Sequence, residues 1–376
     1  MSNYEKLRNF SDDDIPRNVS IKTLFKQKTD FNADSVEWCP HENYRNIFVC
    51  GNYHLTEGSE ECGNEKRTGR ILLFSVNQEE LTLEKSIKTA AVLDQKWCHH
   101  KVNEAIILGV VNSNSELEIY KLTSRNNSVD LEKVNSFLFS HEDEEELLIL
   151  SLDWSNTKYN SHEPEIVCSD SIGRVHILKL SGDELVLKSS VVKFHEFETW
   201  IAGFYYWDSN IFFSGGDDCI LYKYDQRVGS EPVSRNRSHE AGVTSLHSNC
   251  SKEYILATGS YDENVRIWDI RNFNSPLSNV KTPGPLWRVK WDPFSQNHLL
   301  VASMLGGVHI ISGVDLLKPN IIDSYYEHEN IAYGVDWSFM SKEELAVYSG
   351  EGNVMIASCS FYDSLLCVSK LQCDNI

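Results

Sequence analysis

The amino-acid sequence predicts an all-β protein, a single β-propeller of seven blades. The first observation is a recurring phrase in which short apolar segments, each strand-sized, alternate with polar turns. The second is the number of copies. Marked by the residue that ends the first apolar segment, the copies fall at Trp38, Trp97, Trp154, Tyr206, Ser248, Trp291 and Trp337. Successive markers lie 59, 57, 52, 42, 43 and 46 residues apart, and the shorter intervals match the blade period of roughly 40–45 residues.

The clearest copy of the phrase shows the strand order within a blade. It predicts a first strand at Val243–Leu246, a second at Tyr254–Ser260 and, after a tight polar turn, a third at Val265–Asp269. The preceding copy aligns with it, because Ser214–Asp218 repeats the end of the second strand and the turn. Each such sheet is apolar on both faces, so the blades must stack in a ring to bury themselves.

The longer intervals contain polar insertions, near residues 54–67, 124–146 and 156–163. We therefore expect one propeller domain over residues 18–376, preceded by a polar tail of residues 1–17. A propeller also needs a closing strand, so that no sheet edge is left open. Val19–Phe25 is one candidate for the outer edge of the last blade, and Leu365–Leu371 is the other.

Composition bounds the function. The chain has 376 residues, 41% of them hydrophobic, and its longest apolar runs are strand-sized, which excludes a membrane-spanning helix. The N-terminus has no basic stretch leading into an apolar one, so we expect no signal peptide and a cytoplasmic location. Ten cysteines without a C-x-x-C pair predict reduced thiols and no metal site. A net charge of −20 argues against nucleic-acid or membrane binding and favours a basic or cationic partner.

One copy carries a set of polar residues that resembles WD repeats. In that superfamily a histidine before the innermost strand, a Ser or Thr on the second, an Asp in the turn and a Trp on the third form a bonded network. His239, Thr258, Asp262 and Trp268 fit all four places, and the preceding copy fits with one substitution, a tyrosine at 224. The resemblance covers nearly the whole chain and implies the propeller fold.

More specific phrases point to one subfamily. They are Ala33–Pro40, Ala91–Trp97, Val167–Asp170, His195–Ala202, Ser214–Asp218, Trp287–Trp291 and Ile331–Trp337. Together they resemble the diphthine methyl ester hydrolase family of the diphthamide pathway. The resemblance implies an enzyme without a cofactor that removes a methyl ester from the modified histidine of elongation factor 2, so that amidation can follow. Elongation factor 2 is then the expected partner, and a monomer is the simplest expectation for the oligomeric state.

The implied substrate carries a quaternary ammonium beside the ester, and aromatic faces bind such cations. In WD propellers the turns between second and third strands share one rim with the segments that lead into the innermost strands. We therefore expect a substrate site on that rim, built from Trp200, Tyr261, Trp287 and Tyr333. An alternative role for the tryptophans is packing between blades.

The candidate catalytic residues are Asp217, Glu198, His195 and Arg288. Ester hydrolysis needs an activated water or nucleophile and a partner for the developing oxyanion, and Arg288 could serve as that partner. Asp217 is surplus to the repeat network, which already has Asp218, so it is the better candidate for function. His195 could act as a base, but its place in the repeat favours a structural role. No G-x-S-x-G or H-E-x-x-H motif is present.

Two rival functions remain open at this stage. Arg266–Arg271 and Tyr224–Arg227 resemble the W-D-x-R ending of propellers that dock on cullin-RING ubiquitin ligases, although the motif is short and mostly structural. The chain would then be a non-catalytic adaptor. A phosphopeptide reader would need several basic residues on the rim, and the acidic balance argues against it.

Overall fold

A computed structural model describes residues 19–56, 66–126, 128–140, 146–191, 194–313, 315–348 and 354–373. In these residues 28 strands form seven four-stranded antiparallel sheets, which confirms the predicted seven-bladed propeller. The predicted tail of residues 1–17 lies outside the described residues. So do residues 57–65, 127 and 141–145 of the predicted insertions.

The first three blades follow an opening strand, β1 (Val19–Lys28), that belongs to the last blade. Their strands are β2 (Asn32–Trp38), β3 (Ile47–Thr56), β4 (Lys66–Val76) and β5 (Leu81–Ala90); β6 (Val92–Trp97), β7 (Ile107–Asn112), β8 (Glu116–Arg125) and β9 (Ser128–Leu138); and β10 (Ile149–Trp154), β11 (Glu165–Asp170), β12 (Val175–Ser181) and β13 (Glu184–Val191). The first strand of each blade is innermost.

The remaining four blades repeat this order. Their strands are β14 (Ile201–Phe204), β15 (Ile211–Gly215), β16 (Leu221–Asp225) and β17 (Pro232–Asn236); β18 (Val243–Ser248), β19 (Ile255–Ser260), β20 (Asn264–Asp269) and β21 (Ser278–Lys281); β22 (Arg288–Trp291), β23 (His298–Ala302), β24 (Val308–Ser312) and β25 (Asn320–Tyr325); and β26 (Ala332–Trp337), β27 (Met355–Ser360) and β28 (Leu365–Cys373). A short helix, α1 (Lys342–Tyr348), lies between β26 and β27.

Six of the seven sequence markers are the last residue of an innermost strand, and Tyr206 lies two residues beyond the end of β14. The tryptophans at these positions have a structural reason. In four blades the marker indole is buried and donates a hydrogen bond to a backbone carbonyl of the preceding blade. The pairs are Trp97 with Glu37 (3.1 Å), Trp154 with Lys96 (2.9 Å), Trp291 with His247 (3.1 Å) and Trp337 with Lys290 (3.0 Å). Tryptophan combines a large apolar surface with one donor, so it can both fill and bond the interface between blades.

The structure decides between the two candidate closing strands. The C-terminal β28 is the third strand of the last blade, and the N-terminal β1 pairs with it antiparallel as the outer strand, with Lys28 opposite Leu365. The first described strand therefore closes the ring. It also bonds the neighbouring blade, because Ile21 N donates to Asp323 Oδ2 at 2.8 Å.

The WD-type network forms where the sequence predicts it. His239 bonds Asp262 Oδ2 through Nδ1 (2.9 Å) and Thr258 Oγ1 through Nε2 (2.8 Å), and the indole of Trp268 donates to the same hydroxyl at 2.8 Å. These contacts link the segment before the innermost strand, the turn and the third strand, so they fix the rim of this blade.

Candidate functional site

The rim that carries these turns surrounds a cavity of about 410 Å³ at the entrance of the central channel. Residues before or on the innermost strands form most of its wall, and residues of β3 in the first blade and of turns in the fifth and last blades complete it. The wall consists of Asn32, Asp34, Tyr53, Leu55, Leu93, Leu148, Leu150, Trp200, Thr244, Tyr261, Trp287, Arg288, Tyr333, Phe361 and Tyr362. A mostly apolar wall with a few polar groups is typical of small-molecule sites.

The four aromatic residues proposed from the sequence come together on this wall. Trp200 and Trp287 precede β14 and β22, Tyr261 follows β19, and Tyr333 lies on β26. The ring centroid of Trp287 is 5.7 Å from Trp200, 6.2 Å from Tyr261 and 4.6 Å from Tyr333. Each ring comes from a different blade, so only the closed propeller assembles them. We call Trp200, Tyr261, Trp287 and Tyr333 the aromatic cluster.

Asp217 contacts the aromatic cluster without lining the cavity. Its Oδ1 accepts a hydrogen bond from the indole Nε1 of Trp200 at 2.9 Å, and the carboxylate is exposed. The close approach depends on Gly242, where a Cβ atom would lie only 2.6 Å from the same oxygen. Asp217 therefore orients the Trp200 ring and places a negative charge beside the cluster.

Glu198 supplies a second carboxylate near the cluster. Its backbone oxygen accepts a hydrogen bond from Asp217 N at 2.9 Å, and its side chain is half-buried outside the cavity wall. Burial, with smaller contributions from the charges of Asp217 and Glu198, raises the pKa of the Tyr261 phenol. The phenol is therefore neutral at physiological pH, and the surroundings of the cluster are negative and favourable for a cation.

His195 lies away from the cavity wall. Its Nδ1 bonds Asp218 at 2.9 Å, its Nε2 bonds Ser214 at 2.8 Å, and the residue is buried. Both ring nitrogens are therefore occupied within the repeat network of the fourth blade, as they are for His239 in the fifth. This geometry fits the structural role, and the catalytic role of His195 stays a prediction.

Arg288 lies on the cavity wall as expected. It is the first residue of β22, it is buried, and its Nη2 is 3.3 Å from Asp94 Oδ1 of the second blade. Burial opposes its charge, but the neighbouring carboxylates, with Asp94 contributing most, raise the pKa of Arg288. The wall therefore contains a guanidinium that is held in place by its ion pair with Asp94.

Sequence reasoning missed Asp34. This residue lies on β2, is 4% exposed, lines the cavity, and has an Oδ1 atom that is buried without a hydrogen-bond partner among the described residues. Burial raises the pKa of Asp34 to about 8, the nearby guanidinium of Arg288 opposes this rise, and Asp94 adds to it.

The sequence does contain a signal for Asp34. In the phrase Ala33–Trp38 an acidic residue stands within an innermost strand between buried neighbours. Acidic residues are rarely buried unless they are paired. A carboxyl at this place in the repeat is therefore a candidate for function, because the packing of the strand does not need an acidic side chain there.

Comparison with known proteins agrees with this architecture. Residues 230–269 match the family described as WD domain, G-beta repeat. The chain is 36% identical over 343 residues to a Mus musculus protein named diphthine methyltransferase, which covers 85% of this chain and 70% of that protein. It is 34% identical over 375 residues to a Dictyostelium discoideum protein named diphthine methyltransferase homolog, covering 90% of this chain and 96% of that protein.

Two further similarities are weaker. A Caenorhabditis elegans protein named DDB1- and CUL4-associated factor 11 homolog is 28% identical over 145 residues, which is 36% of this chain and 25% of that protein. A chain in a crystal structure of the mitotic checkpoint complex superposes with a TM-score of 0.68 over 96% of this chain and 95% of that chain, at 14% identity. The second similarity shows the fold alone.

Proposed function

The chain belongs to the diphthine methyltransferase family, and we propose that it hydrolyses the methyl ester of diphthine methyl ester on the modified histidine of elongation factor 2. The products are diphthine and methanol. The observation that carries the proposal is the aromatic cluster on the wall of the cavity, with carboxylates beside it. In this proposal the protein acts as a monomer in the cytoplasm, and elongation factor 2 is its protein substrate.

The aromatic cluster suits the trimethylammonium group of this substrate. A cation over a ring face within about 6 Å of its centroid gains roughly 0.5–2 kcal/mol, and tryptophan is the best of the aromatic side chains. Rings from four blades can contact one methylated nitrogen from several sides. Asp217 and Glu198 add negative charge at the edge of the cluster without competing for the ring faces.

The ester of the substrate is attached to the carbon that carries the ammonium. A cation held by the aromatic cluster therefore brings the ester carbonyl to the same cavity, where Arg288 can stabilise the oxyanion that forms when water attacks. The ammonium itself withdraws electrons from the carbonyl carbon, so the protein has less activation to supply. Asp217 and Glu198 lie outside the cavity wall. Asp217 orients the Trp200 ring, and both carboxylates balance the positive charge of the ammonium group.

The names of the relatives describe methyl transfer, whereas in the proposed reaction water attacks the ester carbonyl carbon and the methoxy group leaves as methanol with one proton from that water. The test is to incubate the purified protein with ester-bearing elongation factor 2 in the absence of S-adenosylmethionine. We expect methanol release and the loss of one CH2 unit from the mass of the modified peptide. An unchanged peptide would contradict the proposal.

The cation site has its own test with matched variants. Trp200→Leu and Trp287→Leu each remove a ring face but keep much of the apolar volume. We expect a loss of about 1–2 kcal/mol, which is roughly ten- to thirtyfold in binding. The control is Phe197→Leu, because Phe197 is an exposed aromatic residue three positions before Trp200 and outside the cavity wall.

A substrate analogue with a tert-butyl group in place of trimethylammonium completes this test, since it has the same shape without the charge. The wild type should prefer the charged form strongly, and the two tryptophan variants should lose much of that preference. Equal binding of both analogues by the wild type would exclude a cation site.

The adaptor function is the second candidate, supported by the partial match to the DDB1- and CUL4-associated factor 11 homolog. The arginines of both W-D-x-R-like endings bind within their own blade. Arg271 donates to both oxygens of Asp269 and lies 4.4 Å from the Tyr254 ring, and Arg227 donates to both oxygens of Asp225. These contacts give the motif a structural role. The esterase therefore remains our first proposal.

A further inference from the structure

Asp34 is a buried carboxyl that has no ion-pair partner among the described residues. It faces the cavity from β2 of the first blade, and Arg288 reaches the same region from β22 of the sixth. Arg288 is already paired with Asp94, which in turn accepts a hydrogen bond from Lys96 Nζ at 2.8 Å. Arg288 is therefore ion-paired with Asp94 and not with Asp34.

The cavity wall also holds two buried polar atoms without partners among the described residues. One is the acceptor Asp34 Oδ1, and the other is the donor Trp287 Nε1. Buried polar groups are rarely left unsatisfied, because each costs about 1–3 kcal/mol. A ligand with one acceptor and one donor would satisfy both. An ester carbonyl and an attacking water have this combination.

We propose that Asp34 is the general base of the hydrolysis, and that the ammonium group of the bound substrate converts it to the carboxylate. This inference rests on the proposed function and assigns a catalytic residue to it. The ammonium lies next to the ester carbon, so a cation held by the aromatic cluster carries its charge to the part of the cavity that Asp34 faces.

The reaction balances without a further reactant. The Asp34 carboxylate takes a proton from water as the water oxygen bonds to the ester carbonyl carbon, and the resulting oxyanion is stabilised by Arg288 and the Trp287 indole N–H. The tetrahedral intermediate then breaks its bond to the methoxy oxygen, which leaves as methanol with the proton from Asp34. The carboxylic acid product loses its own proton to solvent, and Asp34 is ready for the next substrate.

The groups that face Asp34 determine the direction of its titration. Arg288 is the cation, and Asp94 of β6, Tyr333 of β26 and Cys359 of β27 are the acidic groups that interact with it electrostatically. The pKa of Asp34, about 8 in the free protein, means that most molecules hold it protonated at neutral pH. A nearby positive charge favours the ionised form and lowers this pKa. A ligand without the cation leaves Asp34 neutral and inactive as a base. Activation of Asp34 is therefore selective for ligands that carry the ammonium group.

The experiment compares pH profiles. The profile of kcat/KM reports the free enzyme and should rise with pH through an apparent pKa near 8, whereas the profile of kcat reports the complex and should rise at lower pH. With the tert-butyl ester, kcat should rise only near the pKa of the free enzyme. Coincident kcat and kcat/KM profiles for the charged substrate would contradict activation by the substrate.

Asp34→Asn tests the residue itself, with Asp30→Asn as the matched control, since Asp30 is exposed and lies in the connection between β1 and β2. Asp34→Asn should lower kcat at least about a hundredfold, the usual contribution of a general base. It should still bind the product diphthine through the aromatic cluster, which shows that it is folded. Full activity of Asp34→Asn would overturn the inference.

The outcomes separate the two proposals. Failure of the wild type to release methanol refutes the proposed function. Methanol release by both the wild type and Asp34→Asn refutes only the role of Asp34. A single turnover in 18O-labelled water should leave the Asp34 carboxyl unlabelled, and label in that carboxyl would show a nucleophile and overturn the general-base role.

Discussion

Replacing Asp262 by alanine should destabilise the propeller, whereas the same change at Asp217 should affect ligand binding. The two residues lie in equivalent turns of neighbouring blades, one position apart in the repeat. Asp262 accepts hydrogen bonds from His239 Nδ1 (2.9 Å), from the backbone N–H groups of Glu240 (3.0 Å) and Asn264 (3.0 Å), and from Arg266. Asp217 is exposed and bonds Trp200.

The magnitude follows from the groups that lose a partner. His239 and Arg266 are largely buried, and a buried donor left unsatisfied costs about 1–3 kcal/mol, so we expect Asp262→Ala to lower the free energy of unfolding by about 3 kcal/mol. Unfolding entropy of about 2.1 cal/mol/K per residue gives about 0.8 kcal/mol/K for 376 residues. If the ring unfolds as one unit, the melting temperature should therefore fall by about 4 °C.

The effect should depend on pH. Burial alone would raise the pKa of Asp262, but the hydrogen bonds and charges of His239 and Arg266 outweigh it and lower this pKa well below the usual value. A carboxyl with a depressed folded-state pKa stabilises the fold above its unfolded pKa of about 3.9, and this contribution disappears as pH falls through the folded value. The difference in stability between wild type and Asp262→Ala should therefore shrink below about pH 4.

The assay is differential scanning calorimetry at several pH values, combined with product binding by titration calorimetry. Asp217→Ala should change the melting temperature by less than a degree or so, because exposed substitutions are usually within about 0.5 kcal/mol. It should weaken binding, since the Trp200 indole loses its partner. Equal effects of the two variants on melting and on binding would refute the distinction.

Two further perturbations test the architecture. Deletion of residues through Phe25 removes most of β1 and exposes the edge of β28, so the melting temperature should fall; an unchanged melting curve would show that β1 does not stabilise the ring. Lys290→Met leaves the buried carboxylates of Glu37 and Asp336 without their cation, which should cost about 3–5 kcal/mol in denaturant titrations at pH 8. Burial already raises the pKa of Asp336, so the cost should be smaller at pH 5, where the Asp336 carboxyl of the folded state can take up a proton, and a cost that is independent of pH would contradict this account.

Much of the candidate site could be predicted from the sequence, because the repeat fixes which residues share a rim. Trp200, Trp287 and Tyr333 lie at the start of the innermost strand in three blades, and rotation about the propeller axis brings such positions together. Tyr261 lies in a turn between second and third strands, which the repeat places on the same rim. Arg288 follows for the same reason. The distances between the rings could not be predicted, since they depend on side-chain orientations that neighbouring blades impose.

Asp34 shows the limit of this reasoning. The repeat pattern places it on an innermost strand, but its significance depends on what faces it from the second and sixth blades. Asp94 on an equivalent strand is paired with Lys96 and Arg288. Burial alone would raise the pKa of Asp94, but the charges of these two cations outweigh burial and lower it. The same residue type on equivalent strands thus has opposite electrostatic surroundings.

The sequence by itself determined the fold class, the number of blades and the family. These features can be predicted because they depend on local sequence patterns, namely strand-length apolar segments, turn residues and a period of one blade. Only the tertiary structure decided that β1 rather than β28 closes the ring, that His195 is bonded on both nitrogens, and that Asp34 lies on the cavity wall without a partner. These features depend on contacts between residues from different blades or from opposite ends of the chain, so they exist only once the ring is closed.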